Sequence, residues 1–214
     1  MAARAPRLLL TGFEAFGPHR TNPTESLAKR LDGDWVGDAR VVGRVLPVSI
    51  GKIETALEAL LEEVQPVAIL ALGLAGGESC IRLERTAQNA LKFPFPDNDG
   101  KSPTGKILRG GPGTRAGSLP YPAILKRLLA AGIPARLSDD AGRYLCNAVF
   151  YHLVGRAEGR PCGFVHVPAT PEMVADALRR GTLAGPEKAA SMGLRLQLAA
   201  IRIALAELAR KALK

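Results

Sequence analysis

Val67-Ala68-Ile69-Leu70-Ala71-Leu72, followed by Gly73, is the stretch on which the fold turns. An unbroken apolar run that stops at a glycine is the pattern of a strand buried on both faces, because a half-exposed strand would alternate. Upstream, Arg7–Thr11 is a second short apolar run ending at Gly12, and Val41–Val48 reads as a third strand. Between them, Asn22-Pro23 marks a helix start, with Asn22 as cap and Pro23 at the first helical position. Ser49 is expected to cap a helix running to Val64, whose Ile53, Leu57, Leu60, Leu61 and Val64 recur at three and four. Downstream, Ile81–Ala90 alternates loosely, and 92–119 is rich in Pro, Gly, Asp and Asn and reads as a long loop. Tyr121–Ala131 reads as a helix, Ala135–Ser138 as a brief strand, Arg143–Val154 as a helix and Gly163–Val167 as another buried strand. Lys188–Ala212 is expected to form one long terminal helix packed by Leu194, Leu198, Ile201, Leu205 and Leu208. Strands separated by helices predict an α/β fold, a twisted and mostly parallel sheet covered on both faces. With no linker, repeat or low-complexity tract to divide it, 1–214 reads as a single domain.

Composition narrows the function. The 214 residues, 47% hydrophobic, are enough to bury a sizeable core. Lys and Arg number 29 against 20 Asp and Glu, a net charge of +9 that raises the question of nucleic acid. The basic residues are spread from Arg4 to Lys214, however, without an arginine-rich arm, zinc-finger spacing or aromatic RNA-binding stripe, so no nucleic-acid partner is expected. No apolar run approaches the ~20 residues of a membrane span, and the run from Leu8 meets Gly12 and Glu14 too early for an export signal. The protein is expected to be soluble and unexported. Three cysteines, Cys80, Cys146 and Cys162, with no CxxC spacing suit a reducing compartment. Too few His and acidic residues cluster for a structural zinc site.

In open α/β sheets, ligands sit at the carboxyl ends of the strands. Gly12–Gly17, Gly73–Gly77, Cys146 and His166 all fall there. Cys146 lies between a short strand and an apolar helix, where free backbone amides and the helix dipole favour a thiolate, although a small buried hydrophobe would suit the position too. His166 ends the strand GFVHV just before Pro168, either as a hydrogen-bonded core histidine or as a base for the thiol. Glu84, in Ile81-Arg82-Leu83-Glu84, is the best candidate to orient that imidazole, with an ordinary ion pair to Arg82 or Arg85 as the other option. His19 and His152 read as bystanders.

Five ordered segments carry a resemblance. Leu9–Gly17 with Asn22-Pro23, Gly73–Gly77, Leu83-Glu84-Arg85 with Asn89, Ala141–Asn147, and Phe164–Pro168 together resemble the pyroglutamyl peptidase I family. The resemblance implies an α/β/α sandwich, often a homotetramer, acting in the cytoplasm as a cysteine peptidase that removes N-terminal pyroglutamate from peptides without metal or cofactor. It implies Cys146 as nucleophile, His166 as general base and then acid, and Glu84 as the residue orienting His166. Phe13 and Phe16 match the aromatic walls around the pyrrolidone ring, while Tyr144 and Leu145 match the pocket-lining stretch before the nucleophile. Leu74 and Glu78 depart from many bacterial members, which carry Gln and Arg there, so Leu74 enters the expected pocket as a changed residue. Arg85 is a further candidate near the oxyanion. The alternative on the same fold is a non-hydrolytic small-molecule or peptide-binding protein using Leu74 and Glu78 for another ligand.

Overall fold

The computed structural model describes residues 5–183 and 185–214. In chain order its elements are β1 (Arg7–Phe13), α1 (Pro23–Leu31), β2 (Trp35–Val36), β3 (Ala39–Leu46), α2 (Ile53–Val64), β4 (Ala68–Ala75), β5 (Ile81–Glu84), β6 (Thr86–Gln88), β7 (Leu91–Lys92), β8 (Thr104–Gly105), β9 (Thr114–Ala116), α3 (Tyr121–Ala130), β10 (Ala135–Ser138), α4 (Leu145–Gly155), β11 (Cys162–Pro168), α5 (Pro171–Arg179) and α6 (Leu194–Ala212). Seven strands form one sheet in the order β10-β5-β11-β4-β1-β3-β2. Its β1–β3, β1–β4, β4–β11 and β5–β10 pairs are parallel, while β5–β11 and β2–β3 are antiparallel.

The two-residue period of the buried strands sends alternate side chains to opposite faces. Leu8, Leu10, Leu70, Leu72, Val165 and Val167 pack against α1, α3 and α6 through Leu27, Ile124, Leu128, Ile201 and Leu205. Leu9, Ile69, Ala71 and Phe164 face the other way, onto Ile53 and Leu57 of α2 and Val149 and Phe150 of α4. Each fully buried aliphatic side chain of this kind contributes about 1.5–3 kcal/mol. The result is the α/β/α sandwich around a mostly parallel sheet expected from sequence. Asn22 caps α1 as expected, its side chain accepting from the Thr24 amide at 3.0 Å.

Several boundaries differ, each for a physical reason. β4 does not stop at Gly73 but continues to Ala75, because β11 pairs with it as far as Pro168. Gly73 is a strand residue whose missing side chain is the point: a Cβ there would lie 2.8 Å from Cys146 Sγ and 2.7 Å from Phe164 Cζ. Ser49 does not cap α2, since its hydroxyl donates to Asp99 Oδ2 at 2.7 Å and the helix starts at Ile53. Ile81–Ala90 divides, with β5 staying in the main sheet and β6 pairing with β9. α4 begins at Leu145 rather than Arg143, and α6 at Leu194, Lys188 lying instead in a separate turn of 3₁₀ helix, Pro186–Ala189. α5 was not expected. Its signal was present in the capping pair Thr170-Pro171, whose Thr170 hydroxyl accepts from the Met173 amide at 3.3 Å.

Candidate active site

β5 and β11 run antiparallel with Glu84 opposite Phe164 and Arg82 opposite His166. Glu84 and His166 are therefore diagonal neighbours on one face, within reach of each other across the pair. His166 Nδ1 meets Glu84 Oε1 at 2.8 Å, and Arg82 Nη2 reaches the same oxygen at 2.9 Å. Both contacts weighed for Glu84 form at once: it meets the imidazole and forms an ion pair with Arg82. Its side chain is fully buried. Burial pushes the carboxyl up, but the hydrogen bond and charge of His166, with help from Ser138 and Arg82, outweigh it and hold Glu84 below the usual range. An ionised Glu84 fixes Nδ1 as the donor and leaves Nε2 for chemistry.

Cys146 is the second residue of α4. The first bond of that helix runs from the Ala148 amide to Tyr144 O, so the amides of Leu145, Cys146 and Asn147 lie outside the ladder. Asn147 pins this turn in place: its amide nitrogen donates to Gln88 O and Ala90 O at 2.8 and 3.0 Å, and its Oδ1 accepts from the Gln88 amide at 2.8 Å. The helix start does not leave a free-standing thiolate, as the sequence position alone implied. Burial, and next the Glu84 carboxylate, push the Cys146 thiol up to about 12. Its proton must be removed by a base.

Cys146 and His166 open into one cavity of about 830 Å³. Phe16, Phe95 and Tyr144 form its aromatic wall, with Phe16 and Phe95 stacked at 6.1 Å and Tyr144 tilted against Phe95 at 4.9 Å. Leu74, Ala169, Met173 and Val174 make an aliphatic side. Glu78, Arg82, Arg136 and Asp140 make a charged one.

The family model for pyroglutamyl peptidase matches residues 6–211. The chain belongs to the pyroglutamyl peptidase family. It is 44% identical over 207 residues to the pyrrolidone-carboxylate peptidase of Pyrococcus furiosus, covering 94% of this chain and 99% of that one. With the Thermococcus litoralis pyrrolidone-carboxylate peptidase it shares 42% over 204 residues, 93% of this chain and 91% of the relative. The crystal structure of the Pyrococcus furiosus pyrrolidone carboxyl peptidase superposes with a TM-score of 0.90 at 41% identity, covering 96% of this chain and 99% of the other.

Within this pyroglutamyl peptidase framework, the expected pocket residues divide. Phe16, Leu74 and Tyr144 stand on the cavity surface. Phe13 and Leu145, 3% and 1% exposed, do not; they belong to the apolar cluster against which Phe16 and Tyr144 pack. Phe13 ends the buried strand β1 on the same face as Leu9, and that alternation turns its side chain into the core. Arg85 is not an oxyanion candidate, because its guanidinium is committed to Asp139 on the surface. Arg82 and Arg136 are the arginines that line the cavity.

Two contributors escaped the sequence reading. His19 lines the cavity and meets Phe16 edge-on at 5.8 Å, with burial and then the charge of Arg180 holding it below its usual pKa. Phe95 comes from the long loop, which Asp97 anchors by accepting the amides of Ile50, Asp99 and Lys101 at 2.8, 3.0 and 2.8 Å. Asn98 adds a bond from Nδ2 to Glu14 Oε1 at 2.9 Å, tying the loop to the end of β1. Among the described residues, no group of His, Cys, Asp and Glu is arranged to hold a metal ion.

Proposed function

We propose that this chain is a cysteine omega-peptidase that hydrolyses the bond following an N-terminal pyroglutamate, with Cys146, His166 and Glu84 as its catalytic and orienting residues. The observation that carries the assignment is the placement of Cys146, on the first turn of α4, in the same cavity as a His166 whose Nδ1 is held by Glu84. As Cys146 Sγ attacks the pyroglutamyl carbonyl, its proton passes to His166 Nε2. The tetrahedral oxyanion faces the first-turn amides of α4. When it collapses, the C–N bond breaks and Nε2–H protonates the leaving amine. Water, deprotonated by the same nitrogen, then hydrolyses the thioester and returns the proton to sulfur. Glu84 stabilises the imidazolium in each half-reaction without taking its proton.

Phe16, Phe95 and Tyr144 would contact the faces of the pyrrolidone ring, with Leu74 at its edge and Phe13 and Leu145 supporting them from behind. Family membership further supports a homotetramer acting in a reducing cytoplasm; sedimentation equilibrium would test the assembly. The deciding experiment is turnover of a pyroglutamyl-arylamide by wild type and Cys146→Ala. Activity confined to the wild type supports the reading, and an inactive wild type that binds the substrate would leave only the binding-protein alternative.

A further inference from the structure

Glu78 sits in the turn between β4 and β5 and has no part in the mechanism above. Its Oε1 accepts from Arg82 Nη1 at 3.2 Å and from Arg136 Nη2 at 2.9 Å. Arg82 Nη2, which donates to Asp140 O and Ser138 Oγ, also forms an ion pair at 2.9 Å with Glu84 Oε1, the oxygen that holds His166 Nδ1. Arg136, Glu78, Arg82, Glu84 and His166 thus form a continuous chain of alternating charge from the cavity rim to the reacting imidazole. Two cations compete for one carboxylate oxygen at its inner end. Whatever share of Arg82's charge is neutralised elsewhere leaves more of Glu84 for the imidazolium.

We propose that Glu78 is a positioning residue for the reaction: by serving as the counter-charge of Arg82 it keeps Glu84 committed to His166, and so sets the proton affinity of the catalytic imidazole. The inference rests on the function proposed above for His166, but its electrostatic core does not. The side chains of Arg82 and Glu78 are 18% and 26% exposed, so their charges are screened less than those of a surface pair. Other anchors hold Arg82 in place when Glu78 changes: Asp140 O at 2.5 Å and Ser138 Oγ at 3.2 Å. A substitution at Glu78 therefore alters charge more than geometry.

Titratable and charged groups reach the surroundings of His166 from several elements, Tyr144 at the start of α4 among them. Glu84 and Arg82 come from β5 and Cys146 from α4. Glu78 comes from the β4–β5 turn, Arg136 from β10, and Asp140 from the segment after it. His19 and Lys188 lie on the same cavity lining. Tyr121 of α3 touches Glu84 only through its backbone, its hydroxyl donating to Glu84 O at 2.8 Å. Besides Glu84, Glu78 is the carboxylate of this set that meets Arg82, whereas Asp140 meets that guanidinium through its carbonyl.

The test is an NMR titration of the His166 ring in wild type, Glu78→Gln and Arg82→Gln, alongside the pH dependence of kcat/KM for a pyroglutamyl-arylamide. Glutamine at 78 keeps an acceptor for both arginines and removes the charge. Glu78→Gln is expected to lower the His166 pKa by about half a unit, and Arg82→Gln to raise it. In the Arg82→Gln background the further change to Gln at 78 should move it far less. The acidic limb of kcat/KM should follow in the same directions. Titration curves that superimpose for all variants, or a Glu78→Gln shift undiminished without Arg82, would overturn the proposal. Because the ring titration needs no turnover, an inactive wild type would count against the assigned reaction and leave the Glu78 relay to be decided by the shifts alone.

Discussion

Glu84 and His166 are 82 residues apart in sequence and 2.8 Å apart in space, joined by the one antiparallel pairing inside the otherwise parallel run β10-β5-β11-β4-β1-β3. That pairing decides which side chains meet. A parallel neighbour would bring the β5 carboxylate to the sheet in a different register, whereas here Arg82, Glu84, Phe164 and His166 share one face.

Glu84→Gln is expected to lower kcat/KM by about 10²–10⁴ and to cost less than His166→Ala, since the carboxylate orients the ring while the ring moves the proton. The same variant reports on stability. Folding lowers the Glu84 pKa from 4.5, so its ionised form stabilises the native state above that pH, and the contribution is lost as pH falls through the lower folded value. The difference in unfolding free energy between wild type and Glu84→Gln should therefore narrow in acid, measured by urea titration from neutrality to below pH 4.5. A gap constant with pH would show that folding leaves the Glu84 pKa unshifted.

Cys146 should be alkylated only with the help of His166. A thiol at about 12 is ~10⁻⁵ thiolate at neutral pH if left to itself. Iodoacetamide should modify Cys146 in step with activity loss in the wild type, and His166→Ala should slow that modification by at least ~100-fold. Peptide mapping resolves Cys146 from half-buried Cys80 and buried Cys162. Inactivation that tracks Cys80 or Cys162 would contradict the assignment.

What could be seen in the sequence was whatever is encoded within a few residues. The apolar runs of β1, β4 and β11, the Asn22-Pro23 start of α1 and the helical spacing of α2 all depend on neighbours along the chain. The contents of the wall depend on distant ones: Phe95 reaches Phe16 because Asp97 and Asn98 bind Ile50, Glu14 and Ala15, pairings 47 to 84 residues long that no local pattern announces. Gly73 shows the converse. Taken locally it ends an apolar run; in the fold it is a strand residue made bare by the sulfur packed against it. Cys146 and His166 stand out in the sequence by their places at a helix start and a strand end, and Glu84 by its apolar surroundings, yet composition alone offers each an ordinary structural explanation.

Gly73→Ala should both destabilise and slow the protein. Its new methyl would meet Cys146 Sγ and Phe164 Cζ at under 3 Å, between a sheet and a helix that leave little room to yield. Overpacking of this kind costs about 1–3 kcal/mol. The expected outcome is a lower midpoint in urea together with a reduced kcat, because relief comes most easily by displacing the sulfur. Wild-type values for both would mean that α4 is free to shift.

Asp97→Ala is expected to loosen the loop that carries Phe95. Three backbone amides lose their acceptor, and the half-buried Ile50 amide has the least access to water as a substitute. The kinetic signature should be a raised KM for pyroglutamyl substrates with a smaller effect on kcat, since Cys146 and His166 are held by other elements. Equal KM for variant and wild type would indicate that the 92–119 loop stays closed without its anchor.

Specificity follows from what the wall lacks. Phe16, Phe95, Tyr144 and Leu74 offer apolar contact to a neutral lactam ring, and Tyr144, its phenol raised to about 12 chiefly by burial, stays protonated and donates to Pro96 O at 3.4 Å. An N-terminal glutamate would bring an ammonium and a carboxylate into that surface, and stripping them of water without partners costs several kcal/mol or more. Proline has the ring but a charged amine and no lactam carbonyl, which leaves the groups that read the lactam unpaired. Sites that depend on a substrate polar group in this way discriminate by ~10⁴-fold or more. Arylamides differing only in that first residue should therefore give kcat/KM for pyroglutamyl at least ~10⁴ times that for prolyl or glutamyl. Phe95→Ala should lower the pyroglutamyl value by about 10-fold or more, through lost ring contact, without improving the other two. Comparable pyroglutamyl and prolyl values in the wild type would mean that the aromatic wall reads ring shape alone, and that Leu74, in its strand beside Phe16, has cost the site its grip on the lactam.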